Sequence, residues 1–93
     1  MAETIKITLD KSSDISKVEQ LHEKLEALLE SPAAVEIDAS KVERIDTSTL
    51  QVLVSFLNTM AKHHQDARLT KPSTYFSDTA QLMGMSQLLN LNR

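Results

Sequence analysis

An α/β domain is what this chain predicts, and three observations point to it. Ile5, Ile7 and Leu9 alternate with Lys6 and Thr8, and Val35, Ile37 and Ala39 alternate with Glu36 and Asp38, the two-residue period of strands with one apolar face. Between them Val18, Leu21, Leu25, Leu28 and Leu29 recur at helical spacing. Strands joined through a helix pair in parallel by a right-handed crossover. The expectation is therefore a central, mostly parallel or mixed sheet of about four strands with helices packed against it.

The first strand runs through Ile5, Ile7 and Leu9. After the polar Asp10-Lys11-Ser12-Ser13-Asp14, Ser16 and Glu19 have the spacing of a capping box, which predicts a first helix over about 17–30. Its other face carries Glu19, Glu23, Lys24, Glu26 and Glu30 and reads as solvated surface, not as a carboxylate site. Pro32 has no N–H to donate and stops the helix before the second strand. A second helix over about 47–63 places Leu50, Leu53, Val54, Leu57, Met60 and Ala61 on one face. A short strand follows at Ala67–Thr70. Phe76, Ala80, Leu82 and Met83 predict a third helix ended by Gly84, and Met85, Leu88, Leu89 and Leu91 predict a closing turn or short helix.

The 93 residues and their 41% hydrophobic content suit one domain, 1–93, with a single core. No cysteine occurs, so disulfides and thiolate metal sites are excluded. A formal net charge of −3 with interspersed signs lacks the basic footprint of a nucleic-acid binder. No apolar run reaches a membrane span and the start has no signal-peptide pattern, which predicts a cytoplasmic protein without membrane insertion. His63-His64 lies at the end of the second helix, where adjacent side chains diverge. It fits interaction with the helix dipole better than metal binding. No nucleophile–base arrangement and no glycine-rich phosphate loop can be assembled, since Gly84 is the sole glycine. The chain is expected to be no enzyme and to need no cofactor.

The functional interest lies in Asp46, Thr47, Ser48 and Thr49, at the start of the second helix. Unpaired N–H groups and the positive dipole end meet there, so a phosphate added to a hydroxyl encounters favourable electrostatics. The same residue types are also the ones favoured merely as helix caps. Four in succession exceed what one cap needs, and Thr49 falls inside the helix, where β-branching costs rotamer freedom. Val52 and Phe56 lie on a flank shared with Ser48, Thr59 and His63. That flank is either buried against a neighbouring helix or offered to a partner.

These residues resemble the STAS domain, the family named for sulfate transporters and anti-sigma factor antagonists, over nearly the whole chain. The strand Val35–Ala39, the link 40–45 and Asp46-Thr47-Ser48-Thr49-Leu50 are similar to that family's strand and phosphorylation turn. Lys11-Ser12-Ser13-Asp14 matches its segment before helix one, and Lys71-Pro72-Ser73 and Met83-Gly84-Met85 match its later motifs. The resemblance implies a small STAS-like fold with Thr47 as phosphoacceptor, Ser48 as second choice, and Asp46 and Asp14 as the acidic residues of the phosphorylation surface. It further implies Ser48, Thr49, Val52 and Phe56 as partner contacts. The chain departs from the pattern at Thr49 and Gln51, where the family has glycines, and in lacking the family's first strand. The bare sheet edge this leaves is either simply exposed or paired in a homodimer.

Two functions follow as expectations from the resemblance. One is an anti-sigma factor antagonist-like signalling module, as in a two-component or chemotaxis pathway, that exchanges an anti-sigma or serine/threonine kinase-like partner when Thr47 is phosphorylated. The other is a STAS subunit of a lipid-asymmetry ABC transporter that binds and stabilises its ATPase.

Overall fold

The computed structural model describes residues 4–13, 17–30, 33–63 and 65–89. Its elements in chain order are β1 (Thr4–Thr8), β2 (Ser12–Ser13), α1 (Val18–Leu29), β3 (Ala34–Asp38), β4 (Arg44–Ile45), α2 (Thr47–Lys62), β5 (Ala67–Thr70) and α3 (Thr74–Leu82). The main sheet has three strands in the order β1-β3-β5, all parallel, with Ile7 opposite Ile37 and Ile37 opposite Leu69. The α/β architecture and the parallel pairing agree with expectation, and among the described residues the central sheet has three strands where about four were expected. Two further strands pair separately, Ser12 with Arg44 and Ser13 with Ile45. A two-residue strand is too short to display a period, and the chain around Arg44 reads as a plain link in sequence.

The order β1-β3-β5 has a geometric consequence. Both crossovers step in the same direction across the sheet, so two right-handed connections put α1 and α2 on the same face. The two helices pack on each other there. Ile7, Leu9, Val35, Ile37, Ala39 and Leu69 of the sheet face Leu25 of α1 and Leu50, Leu53, Phe56, Leu57 and Met60 of α2, all buried in one cluster. The opposite face is polar. Lys6, Glu36 and Arg68 stand in one cross-strand row, and Thr8, Asp38 and Thr70 in the next. Parallel sheets are ordinarily covered on both faces. This one replaces the second cover with paired charges, and Thr70 Oγ1 donates to Glu36 Oε2 at 3.1 Å.

Asp38 is the most protected of these groups, only 7% exposed. Its Oδ1 accepts from the Ser40 backbone N–H at 2.8 Å, and Lys6 Nζ lies 3.5 Å from Oδ2. The Ser40 backbone and side-chain hydrogen bonds, helped by Lys6, outweigh desolvation and hold its carboxyl at about 2. The helix-one glutamates are exposed, as expected. Lys17 occupies the N-cap of α1 without a capping side-chain hydrogen bond, its Nζ lying 3.6 Å from Asp10 Oδ2 instead, and Ser16 of the expected capping box lies outside the described residues, as do Pro32, His64 and Leu91.

Helix α3 buries Phe76 and Ala80, four residues apart, while Leu82 is 85% exposed. Leu82 lies six residues from Phe76, off the buried face. Gly84 terminates this helix as the spacing predicts. It has φ +71, with Gly84 N–H donating to Gln81 O at 3.0 Å and Met85 N–H to Ala80 O at 2.8 Å.

Two outcomes follow. A Cβ at Gly84 would meet no atom within 4 Å, so Gly84→Ala should cost only the left-handed backbone penalty, about 1 kcal/mol by urea denaturation. The Asp38 carboxyl has its folded pKa depressed from 3.8 to about 2, so its stabilisation is present above pH 3.8 and is lost as pH falls through about 2. Unfolding free energy measured from pH 6 downward should therefore decline more steeply over that window in the native chain than in Asp38→Asn.

Candidate functional site

Parallel strands end together, so the loops after β1, β3 and β5 lie at one end of the sheet, and α2 begins there. Leu9 N–H to Asp38 O (2.9 Å) and Ala39 N–H to Thr70 O (3.1 Å) carry the ladder to this end. The chain then turns through 40–43 and re-enters at β4, whose Ile45 is buried and leads directly to Asp46. Ser73 ties the arrangement together. Its N–H donates to Ala39 O at 3.0 Å and its hydroxyl donates to Val42 O at 2.6 Å. The same oxygen accepts from Phe76 N–H at 3.0 Å as the N-cap of α3. One serine thus anchors both the loop before α2 and the start of α3.

Asp46 is the N-cap of α2, with extended backbone at φ −107 and ψ 172. Its Oδ1 gathers three donors: the Thr49 N–H at 3.1 Å, the Thr49 hydroxyl at 3.0 Å and the Ser48 hydroxyl at 2.9 Å. A carboxylate oxygen accepting several short bonds at a positive helix end is a favourable arrangement for charge as well as for capping. The surplus of hydroxyls in the sequence now has an allocation. Ser48 and Thr49 are spent on Asp46. Thr47 Oγ1 instead donates to Met83 Sδ at 3.7 Å, a weak acceptor. Thr47 and Ser48 are also the first helical residues, whose N–H groups no carbonyl within the helix can reach.

The residues expected to make partner contacts divide. Thr49 is 1% and Phe56 5% exposed, so both are buried in the isolated chain. The reason is rotational. With Asp46 capping, the inward side of α2 holds Thr49, Leu50, Leu53, Phe56, Leu57 and Met60. Ser48 and Val52 are half-buried. Together with Phe56, Val18, Leu25 and Leu29 they line a groove of about 530 Å³ between α1 and α2, so the flank meets a neighbouring helix yet leaves a cleft. Asp14 lies outside the described residues. The strand just before it, β2, pairs with the segment just before Asp46 through Ser13 and Ile45.

Sequence reasoning did not find Met83 as the neighbour of Thr47, 36 residues away in the chain. The one signal was the motif Met83-Gly84-Met85, which marks the end of α3 but says nothing of where that end lies. Among the described residues no group of three or more His, Cys, Asp or Glu is placed to hold a metal ion, and no helix is long and apolar enough to cross a membrane.

The allocation of hydroxyls makes a stability contrast. Asp46→Ala removes the cap and the acceptor of the Thr49 hydroxyl, and should cost about 2 kcal/mol, whereas Thr47→Ala should stay within about 0.5 kcal/mol. Urea unfolding of the two variants beside the native chain checks this.

Compared with known proteins, the chain matches the family model described as "Mlab, STAS domain" over residues 2–90. A search of curated proteins gives no match. STAS domains generally mediate protein–protein interactions and are generally non-enzymatic. With nearly its whole length matched and its small α/β fold in agreement, the chain belongs to the Mlab-type STAS domain family.

Proposed function

We propose that this chain is a cytoplasmic, non-enzymatic binding module resembling an anti-sigma factor antagonist, whose protein partner is exchanged when Thr47 is phosphorylated. One observation carries the reading: of the three hydroxyls at the start of α2, the Thr47 hydroxyl alone is not committed to Asp46. Ser48 is the weaker candidate because its hydroxyl is held at 2.9 Å by that carboxylate. A phosphate on Thr47 would carry about −1.5 to −2 charge. The helix N–H groups and dipole would attract it, while Asp46 beside it, and Asp14 on the same surface by resemblance, would add to a local negative field. A partner seated over the start of α2 would meet that field and be displaced. The partner in this reading is an anti-sigma or serine/threonine kinase-like protein, in a two-component or chemotaxis pathway.

The description of the matching family, together with the sequence Ile45-Asp46-Thr47, supports a second reading: a STAS subunit that binds and stabilises the ATPase of a lipid-asymmetry ABC transporter. The two readings differ in whether phosphate is involved.

Affinity purification of the tagged native chain, Thr47→Ala and Thr47→Asp from its own cells, read by mass spectrometry, separates them. The switch predicts phosphate on Thr47 in the native chain, a partner retained by Thr47→Ala, and recovery of that partner reduced on the order of tenfold by Thr47→Asp. An ATPase and permease retained equally by all three would overturn the switch in favour of the transporter reading.

A further inference from the structure

Met83 is the residue against which the Thr47 hydroxyl rests, and its surroundings give it a chemistry of its own. It is the C-cap of α3 and is 48% exposed, flanked in the chain by Leu82, 85% exposed, and by Gly84 with its positive φ. The other methionines among the described residues are more protected: Met60 has 0% exposure and Met85 is half-buried against the core. Met83 thus joins about half exposure to a sulfur 3.7 Å from a side-chain hydroxyl.

We propose that Met83 is a site of reversible oxidation by hydroperoxides, and that the sulfoxide formed takes the Thr47 hydroxyl as its hydrogen-bond donor. In the step, a sulfur lone pair attacks the distal oxygen of hydrogen peroxide. The O–O bond breaks as the S–O bond forms, and the remaining hydroxide takes the proton left on the transferred oxygen and departs as water. The thioether is oxidised by two electrons and the peroxide reduced by two. The product exchanges a weak sulfur acceptor for a strong, charge-separated oxygen acceptor bonded to that sulfur, and converts an apolar side chain into a polar one. Thr47 Oγ1 is the donor already in place. Oxidation therefore couples the redox state of α3 to the residue that starts α2. The coupling itself is independent of phosphorylation; only its bearing on partner exchange rests on the Thr47 reading.

The test uses the purified full chain, with hydrogen peroxide as the oxidant and threonine labelled with ¹³C at its methyl group. Peptide mapping over time should show Met83 sulfoxide forming on the order of tenfold faster than Met60 sulfoxide. The Thr47 methyl resonance should move as Met83 is oxidised, return after treatment with methionine sulfoxide reductases, and stay fixed under peroxide in Met83→Leu. Oxidation of Met83 no faster than that of Met60, an unmoved Thr47 signal, or a shift that persists in Met83→Leu would each overturn the proposal. No kinase or partner enters these readouts, so a failure of the phosphorylation switch in cells would leave their outcome unchanged.

Discussion

A strand that feeds a helix and returns to a parallel neighbour packs back onto its sheet with one hand only, and here both such connections step the same way across β1-β3-β5. From that constraint the remaining layout follows. α1 and α2 must share a face, so the apolar residues of three strands need only one cover, and the other face is left to the rows Lys6-Glu36-Arg68 and Thr8-Asp38-Thr70. Asp38 holds its charge there because Ser40 and Lys6 supply what the lost water did. The common direction of the strands also gathers the loops at one end, and α2 begins among them.

At that end a single carboxylate oxygen does the sorting. Asp46 Oδ1 satisfies one orphan amide of α2 and two hydroxyls besides. Placing a negative group at a helix start is electrostatically favourable on its own. Its further effect is to turn the Thr49 hydroxyl to the cap while the residue itself enters the core. The bulk of Thr49 is taken up by this burial. A threonine inside the first turn loses rotamer freedom, and its two hydrogen bonds to Asp46 offset that cost.

Ser73 and Gly84 connect this end to the last helix. Ser73 holds the start of α3 to the loop after β3 through Ala39 and Val42, and Gly84 closes its other end with a positive φ. Between them α3 is positioned so that Met83 reaches Thr47. Two residues with no part in the proposed chemistry thereby decide what lies beside it.

Much of this was legible in the chain itself. The period of two at Ile5–Leu9 and Val35–Ala39, the helical spacing of Leu50, Leu53, Leu57 and Met60, and the glycine stop after α3 each express a local rule that holds whatever the tertiary context. They also located the hydroxyl-rich turn, because capping residues announce a helix start. What they left open was decided by packing. Whether Phe56 served core or surface depended on how α2 packs, with α1 lying alongside. Which hydroxyl remained outward depended on hydrogen bonds that several rotamers permit in isolation. The pairing of Ser12 with Arg44 was too short to leave a period. The approach of Met83 to Thr47 joins positions 36 residues apart, a distance that no local pattern spans and that only the folded chain closes.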